Sequence, residues 1–373
     1  MDLSMELEER TRFKRFDTNF ALLIIALNII GLINLYSATH GPQALGLSRL
    51  FIQQIIWLVG GWTLYILFTF VDYQLFQRLA YVFYGLNVFF LVLVDLIGKT
   101  ALGAQRWLDL GFFRYQPSET MKMVMIMVLA RHLSNIDTSK GLGWRELFVP
   151  AVLLALPFGL TVVQPDLGTA MMLFFISLTM LAFVGIRRQI WISAILVAMI
   201  AAPVVWNFGL KEYQKDRIFT FLDPGRDPRG AGYNSIQSKI AVGSGKFFGK
   251  GFRQGTQAQL EFLPERHTDF IYSVLSEEHG FVGSLTTIGL YVTLLILGVG
   301  IASQARDRFG ALMAIGVLAY CFWHMCINIG MVIGLLPIVG IPLPLLSYGG
   351  SGMLTTMVGL GIVSGVSFRR FIF

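Results

Sequence analysis

The chain has 373 residues, 55% of them hydrophobic and only 14% charged, with a mean hydropathy of +0.66. Soluble domains carry roughly a quarter charged residues, so a water-soluble fold would have to hide more apolar surface than one core holds, and a bilayer is the simpler solvent. The formal charge of +7 sits largely at the ends of apolar runs and matches no nucleic-acid reading motif, which argues against nucleic acid as a partner.

In chain order, apolar segments lie near 20–39, 50–71, 76–97, 117–135, 146–163, 167–186, 189–208, 271–303, 309–336 and 345–368. Each is close to the roughly 20 residues a span needs, or longer. The pattern predicts an all-α, polytopic membrane protein with about ten transmembrane helices. The first run, Phe20 to Thr39, is too long for the apolar part of a signal peptide and no clear cleavage site follows it, so it is read as the first span. The segment at 117–135 is the least apolar, with Glu119 and Lys122 inside it. Cys321 and Cys326 both lie in an apolar stretch and are expected as small buried residues rather than a disulfide framework.

Orientation follows from Lys and Arg. A cytoplasmic N-terminus, with Arg10, Arg12, Lys14 and Arg15, puts Arg78, Arg131, Lys140, Arg145, Arg187, Arg188, Arg306, Arg308, Arg369 and Arg370 on the same side. The short opposite loops hold Arg49 and, between 98 and 116, Lys99, Arg106 and Arg114. The bias predicts both termini in the cytoplasm. Residues 209–270 then form one large extracytoplasmic loop, which carries ten Lys or Arg; long loops are largely exempt from the charge rule. Its length marks it as functional or disordered. Its apolar residues and amphipathic stretches such as Asn234 to Val242 favour an ordered loop against the outer membrane face.

Ionisable groups at membrane depth are costly, so each is a functional candidate. Glu119 and Lys122 share a helix face. They read either as an internal ion pair that fixes packing or as part of a polar cavity, to which Arg106 and the interfacial Trp107 would add. Asp166 reads either as a helix cap or as a site residue. Asp95, near a span end, is expected to pack or snorkel. The densest cluster runs from Glu261 to Phe270 and contains Glu265, Arg266, His267, Thr268 and Asp269, with Glu277 and Glu278 shortly after. A carboxylate, an imidazole and a guanidinium together at the membrane surface suit acid/base chemistry. The plainer reading is a polar helix start capped by Thr268 or Asp269. Upstream, Gly243, Gly245, Gly249, Gly251 and Gly255 alternate with Lys246, Lys250 and Arg253, a weak phosphate-binding signal without the pattern of a nucleotide loop. The stretch from Gly334 to Gly352, with three prolines and no charge, predicts irregular backbone lining a pocket.

These residues, in this order, resemble the SEDS family (shape, elongation, division and sporulation). The matching blocks are Gly103-Ala-Gln-Arg-Trp107, Gln116-Pro-Ser-Glu119 with Lys122, Gln164-Pro-Asp-Leu-Gly-Thr-Ala170, Phe221-Leu-Asp-Pro224, Gly232-Tyr-Asn with Gln237-Ser238, Ala241-Val-Gly-Ser-Gly245, Phe262 to Phe270, and Asn328-Ile-Gly to Ser351. Each is weak alone; in order they are specific and span essentially the whole chain, read as a single transmembrane domain over 1–373. The Leu260-to-His267 run and the short termini are most similar to the elongation branch, typified by RodA, rather than the division branch, typified by FtsW. Lys246 departs from the Gly-Ser-Gly-Gly that the family often shows.

The resemblance implies a peptidoglycan glycosyltransferase that polymerises lipid II on the outer face of the bacterial cytoplasmic membrane, beside a class B penicillin-binding protein and the elongation machinery. It places the essential loop carboxylate on Asp269, as base for the acceptor hydroxyl. Arg106, Lys122, Arg217 and Lys239 are then candidates to hold the departing pyrophosphate, and Trp107 to stack on a sugar or the polyprenyl chain. Glu119 and Asp166 would position cations, and His267 and Thr268 would line the substrate site. No dedicated metal cluster is visible; a divalent cation is an alternative source of positive charge. A lipid II flippase and a scaffold that only recruits a synthase are the competing readings. The clustering of polar groups at outer span ends, rather than along a path through the membrane centre, separates the enzyme from the flippase.

Overall fold

The computed structural model describes residues 17–40, 47–101, 104–109, 111, 114–209, 212–227 and 230–370. The basic N-terminal residues Arg10, Arg12, Lys14 and Arg15 lie outside them. Ten long helices appear where spans were expected: α1 (Thr18–Thr39), α2 (Arg49–Phe70), α3 (Tyr73–Ile97), α4 (Pro117–Ser134), α5 (Trp144–Val163), α6 (Leu167–Val184), α7 (Arg188–Val204), α11 (Ile271–Ser303), α12 (Arg308–Val332) and α13 (Gly350–Arg369). Three shorter helices lie in the large loop: α8 (Glu212–Leu222), α9 (Ala231–Ser244) and α10 (Thr256–Gln259). Local chemistry sets several starts. Asp17, Ser48, Asp166 and Asp307 each accept a hydrogen bond from the backbone three residues on, which satisfies an N–H that the helix leaves free. Pro117 opens α4, where its missing N–H is harmless.

Among the described residues, nine helices are long and apolar enough to cross a membrane. The tenth, α4, has the same length as α6 but carries Glu119, Lys122 and Arg131. It is also among the most enclosed, with contacts to α3, α5, α6, α12 and α13. Protein rather than lipid surrounds its charges, which is the condition under which they are tolerated at that depth. Helix α7 is the opposite case. Nearly every side chain is exposed, an apolar surface of the kind a bilayer covers.

The predicted inner-side arginines gather at one end of the bundle and donate to backbone carbonyls there. Arg131 reaches Arg78 O at 2.7 Å, Arg308 reaches Ile136 O at 3.0 Å, Arg187 reaches Gly141 O at 3.1 Å and Arg369 reaches Thr69 O at 3.0 Å. The opposite end carries the large loop and a small antiparallel sheet, β1 (Lys99–Ala101), β2 (Ala104–Asp109) and β3 (Arg114–Tyr115), in the order β1-β2-β3. The sequence reading had no strand here.

Two span boundaries also differ. The segment expected at 309–336 stops being helical at Val332, and that expected at 345–368 becomes helical only at Gly350. Between them the Pro-rich chain threads among helices. A β-carbon at Gly31 would lie 2.7 Å from Leu345 O, and one at Gly168 would lie 2.9 Å from Val339 O, so α1 and α6 both press on this segment. The Tyr291 hydroxyl of α11 donates to Pro344 O. Irregular backbone at this depth survives because protein supplies its hydrogen bonds. Finally, α11 breaks at Gly280 (φ 64°, ψ −158°). The part after the break is roughly 34 Å long at 1.5 Å per residue, enough to cross the ~30 Å hydrocarbon core unaided. The short part before it is a separate, buried piece.

Candidate active site

Residues 264–270 run as successive turns into α11. Asp269 lies at their end, partly buried, with its carboxylate against Gly340: a β-carbon there would stand 3.3 Å from Oδ2. Gly340 has φ +74°, a conformation that suits glycine. The Asn328 side-chain amide of α12 donates to Asp269 O at 2.8 Å and to Ile341 O at 2.7 Å, tying this segment to the Pro-rich one. No hydrogen bond or ion pair reaches the Asp269 carboxylate among the described residues. Burial, with the nearby charge of Glu265 adding to it, pushes its pKa from 3.8 up to about 6.

The rest of the Glu261–Phe270 cluster does not converge on Asp269. Arg266 turns away, donating to Glu261 at 2.8 Å and to Ala38 O at 2.8 Å, and holds the Glu261 carboxyl below its ordinary range. His267 lies 4.0 Å from Glu265 and its ring packs near Tyr348. Burial lowers its pKa, which favours the neutral imidazole. Thr268 bonds to Glu265 Oε2 at 3.0 Å. Neither Thr268 nor Asp269 caps α11, whose N-cap is Phe270 without a side-chain bond.

The candidate cations fall into three places. Arg106, on β2, bonds to Gln164 O and Pro165 O at the turn between α5 and α6 and lies 3.9 Å from Asp166. Asp166 meanwhile caps α6 through Thr169 and takes further contacts from Gln116 and Ser118; it is both cap and ion-pair partner. Trp107, the next residue of β2, is half-buried. Lys122 is bonded to Glu119 at 2.7 Å and lies 3.1 Å from His324 Nε2, with its ammonium over the Tyr320 ring. His324 Nδ1 in turn sits 3.1 Å from Pro342 O.

Arg217 and Lys239 border the Pro-rich segment from the loop side. Arg217, Thr220 and Ser235 face Leu336, Pro337 and Ile338 across a narrow recess, and the exposed Lys239 runs across Gly334. Residues 334–342 therefore meet Asp269, the start of α6, α12, and the cations of α8 and α9.

The Gly-rich turn after α9 does not present Lys250 to a ligand. Lys250 donates to Glu277 at 2.6 Å, and Glu277 also accepts from Thr256 Oγ1 and Gln257 N. Gly245 and Gly249 lie so close to the Ser276 and Glu278 carbonyls that a side chain would clash. These glycines serve packing against α11.

Comparison with known proteins settles the ancestry. The family model described as cell cycle protein, FtsW/RodA/SpoVE, matches residues 17–370. The chain belongs to the FtsW/RodA/SpoVE family. Among members of this SEDS family, it is 41% identical to the peptidoglycan glycosyltransferase MrdB of Escherichia coli K12, over 95% of this chain and 94% of that one. It is 32% identical to the peptidoglycan glycosyltransferase RodA of Treponema pallidum, over 95% and 98%. Of solved structures, a chain from a peptidoglycan synthase complex that coordinates polymerization and crosslinking superposes with a TM-score of 0.83 at 30% identity, over 96% of this chain and 99% of that one. The rod shape determining protein RodA of Thermus thermophilus gives 0.71 at 28%, over 95% and 98%. An all-α membrane fold is shared throughout.

Sequence reasoning did not single out His324, Asn328, Gln54 or Ser347 as part of this candidate site, where Gln54 bonds to Ser347 O and the Ser347 hydroxyl bonds to Thr268 O. His324 was detectable as an ionisable residue inside an apolar run. The others carry no charge, and only the fold shows what they touch.

Proposed function

We propose that this chain is a peptidoglycan glycosyltransferase that polymerises lipid II into glycan strands during cell elongation, with Asp269 as the general base. The observation that carries this is a carboxylate against Gly340, with no partner on its own oxygens among the described residues and a pKa raised by burial, beside a loop bordered by cations. At neutral pH such a group is ionised and a stronger base than an ordinary aspartate. It takes the proton of the acceptor 4-hydroxyl as that oxygen attacks the anomeric carbon of the donor. The bond from that carbon to the pyrophosphate breaks, and undecaprenyl pyrophosphate leaves. An α-linked donor and a β-1,4 product require one inversion.

The departing charge needs stabilisation as it develops. Arg217 and Lys239 suit this best, since they border the same loop as Asp269. Arg106 and Lys122 pair with Asp166 and Glu119 and reach this loop only through the turn at 164–166 and through His324, so their support is indirect. Trp107, His267 and Thr268 line the approach. A divalent cation carried in on the pyrophosphate would add to this charge; a rate lowered by EDTA and restored by the metal would reveal it. The protein lies in the bacterial cytoplasmic membrane with both termini in the cytoplasm, and works with a class B penicillin-binding protein and the elongation machinery. The arginine-rich end of the bundle supports that orientation.

Purified protein with its partner and lipid II in detergent, where there is no bilayer to flip across, tests the reading. Glycan chains are expected with the native protein and lost with Asp269→Ala at unchanged folding and partner binding. Unchanged chain growth in that variant would remove Asp269 as the base, and no growth from native protein beside an active partner would favour the flippase.

A further inference from the structure

The carboxylate oxygens of Asp269 take no hydrogen bond from the described protein, so its aim is set by its backbone and by its packing against Gly340. That backbone is held at three successive carbonyls. Tyr348 N–H donates to His267 O at 2.9 Å, the Ser347 hydroxyl to Thr268 O at 2.7 Å, and the Asn328 amide to Asp269 O at 2.8 Å. Ser347 Oγ also accepts from Leu343 N–H at 2.7 Å, which directs its single proton to Thr268.

The turn at Ser347 and Tyr348 is fixed in its turn from α2. Gln54 Nε2 donates to Ser347 O at 3.2 Å and Gln54 Oε1 accepts from Gly349 N–H at 3.2 Å, while the Tyr348 hydroxyl donates to Gln53 at 2.6 Å. Gln54 and Ser347 are 2% and 6% exposed. A buried amide or hydroxyl is tolerable only when bonded; Gln54 uses its bonds on the 347–349 turn, and Ser347 uses its own to join that turn to Thr268.

We propose that Ser347 and Gln54 are positioning residues for Asp269, holding its backbone so that the carboxylate meets the acceptor hydroxyl. The inference rests on Asp269 being the base. Among the described residues, the charged and titratable groups facing Asp269 or the loop beside it are Glu265 and His267 of its own segment, Tyr348 of the gripping turn, His324 of α12, which reaches that loop at Pro342, and Lys239 of α9, which crosses Gly334. Substitution at 54 or 347 removes none of these groups, but the same turn also holds His267, so the acid limb is compared with that of a His267→Gln variant to assign it to Asp269.

The test uses the full chain with its partner and lipid II, comparing Ser347→Ala, Ser347→Thr and Gln54→Leu with Asp269→Asn. A misaimed base costs kcat, roughly tenfold to a hundredfold for displacements near 1 Å, and leaves KM for lipid II nearly unchanged. Ser347→Ala is expected to show this, with the acid limb of the pH profile moved to lower pH as the loosened carboxyl gains water; Ser347→Thr, which keeps the hydroxyl, is expected to recover most of the rate. Gln54→Leu acts the same way more weakly, and decides the matter if Ser347→Ala does not fold. Native kcat in both variants, or a loss that only tracks the folded fraction with the acid limb in place, overturns the proposal. Activity retained by Asp269→Asn would instead overturn the base assignment; an inactive Asp269→Asn beside unaffected position 54 and 347 variants would overturn the positioning role alone.

Discussion

The ammonium of Lys122 lies 2.7 Å from the carboxylate of Glu119, three residues away on α4, with only 1% of the lysine side chain exposed. Each charge justifies the other's burial, and Glu119 Oε2 has no hydrogen-bond partner among the described residues. Removing one member strands the other. Lys122→Met or Glu119→Gln alone is expected to destabilise the fold by about 3–5 kcal/mol. The double substitution should cost clearly less than the sum, which a double-mutant cycle of thermal unfolding in detergent would measure. Additive losses would show that the two groups do not depend on each other.

Activity should follow the ionisation of Asp269. With its pKa raised to about 6, the basic form is depleted below that pH and complete well above it. The initial rate of lipid II polymerisation is expected to rise about tenfold per pH unit below pH 6 and to level off above pH 7. A limb near pH 4 would mean that the carboxyl is fully hydrated in the working enzyme.

The same shift has a sign for stability. A carboxyl whose folded pKa lies above its unfolded value disfavours the fold once it ionises, and this penalty is absent below the unfolded pKa of 3.8. It grows as pH rises toward 6 and is then constant. A shift of about 2 units corresponds to at most about 3 kcal/mol. Asp269→Asn is therefore expected to raise the unfolding temperature at pH 8 and to have almost no effect near pH 4. An inactive protein that is more stable than the native one would be hard to explain by misfolding.

Glu277 is wholly buried and gathers Lys250, Thr256 and Gln257 onto α11. Bonds to a charged group are worth more than neutral ones. Glu277→Ala should lower stability by about 2–4 kcal/mol. Faster amide hydrogen exchange confined to residues 245–259 would locate the damage; uniform acceleration across the bundle would argue against a local clamp.

Much of this fold was legible because lipid imposes a length and a polarity on each span, so all ten long helices lie close to the apolar runs. Irregular backbone was expected from Gly334 to Gly352 and is found up to Gly349, but the point where the ninth run stops being helical was not legible, since an apolar stretch reads alike whether helical or threaded between helices. Only tertiary contacts such as Tyr291 with Pro344 fix its course. At the candidate site, Asp269, Glu119, Lys122 and Asp166 stood out as charges near lipid. Their pairing was partly hidden: Arg106 joins Asp166 rather than Glu119 because the small sheet, which no sequence period announced, swings β2 over the α5–α6 turn. Lys250 looked available for phosphate because its partner, Glu277, is distant in sequence.

Gly280 is expected to tolerate no substitution. Its φ/ψ lies in a region open almost only to glycine, and an added β-carbon would meet Gly249 N, Phe247 O and Phe248 C. Gly280→Ala should cost at least about 2–3 kcal/mol, read as a lower unfolding temperature and poor recovery from the membrane. A fully stable Gly280→Ala protein would show that the break in α11 is adjustable.

The contact between Gly249 and Gly280 also bears on how the protein can change. Where two bulky side chains meet, enlarging one is often forgiven by shrinking the other. Here the facing residue is already the smallest there is, so no second-site replacement across the gap can make room. A screen for revertants of Gly280→Ala should return the original codon, or changes that move whole stretches of chain, and nothing at position 249.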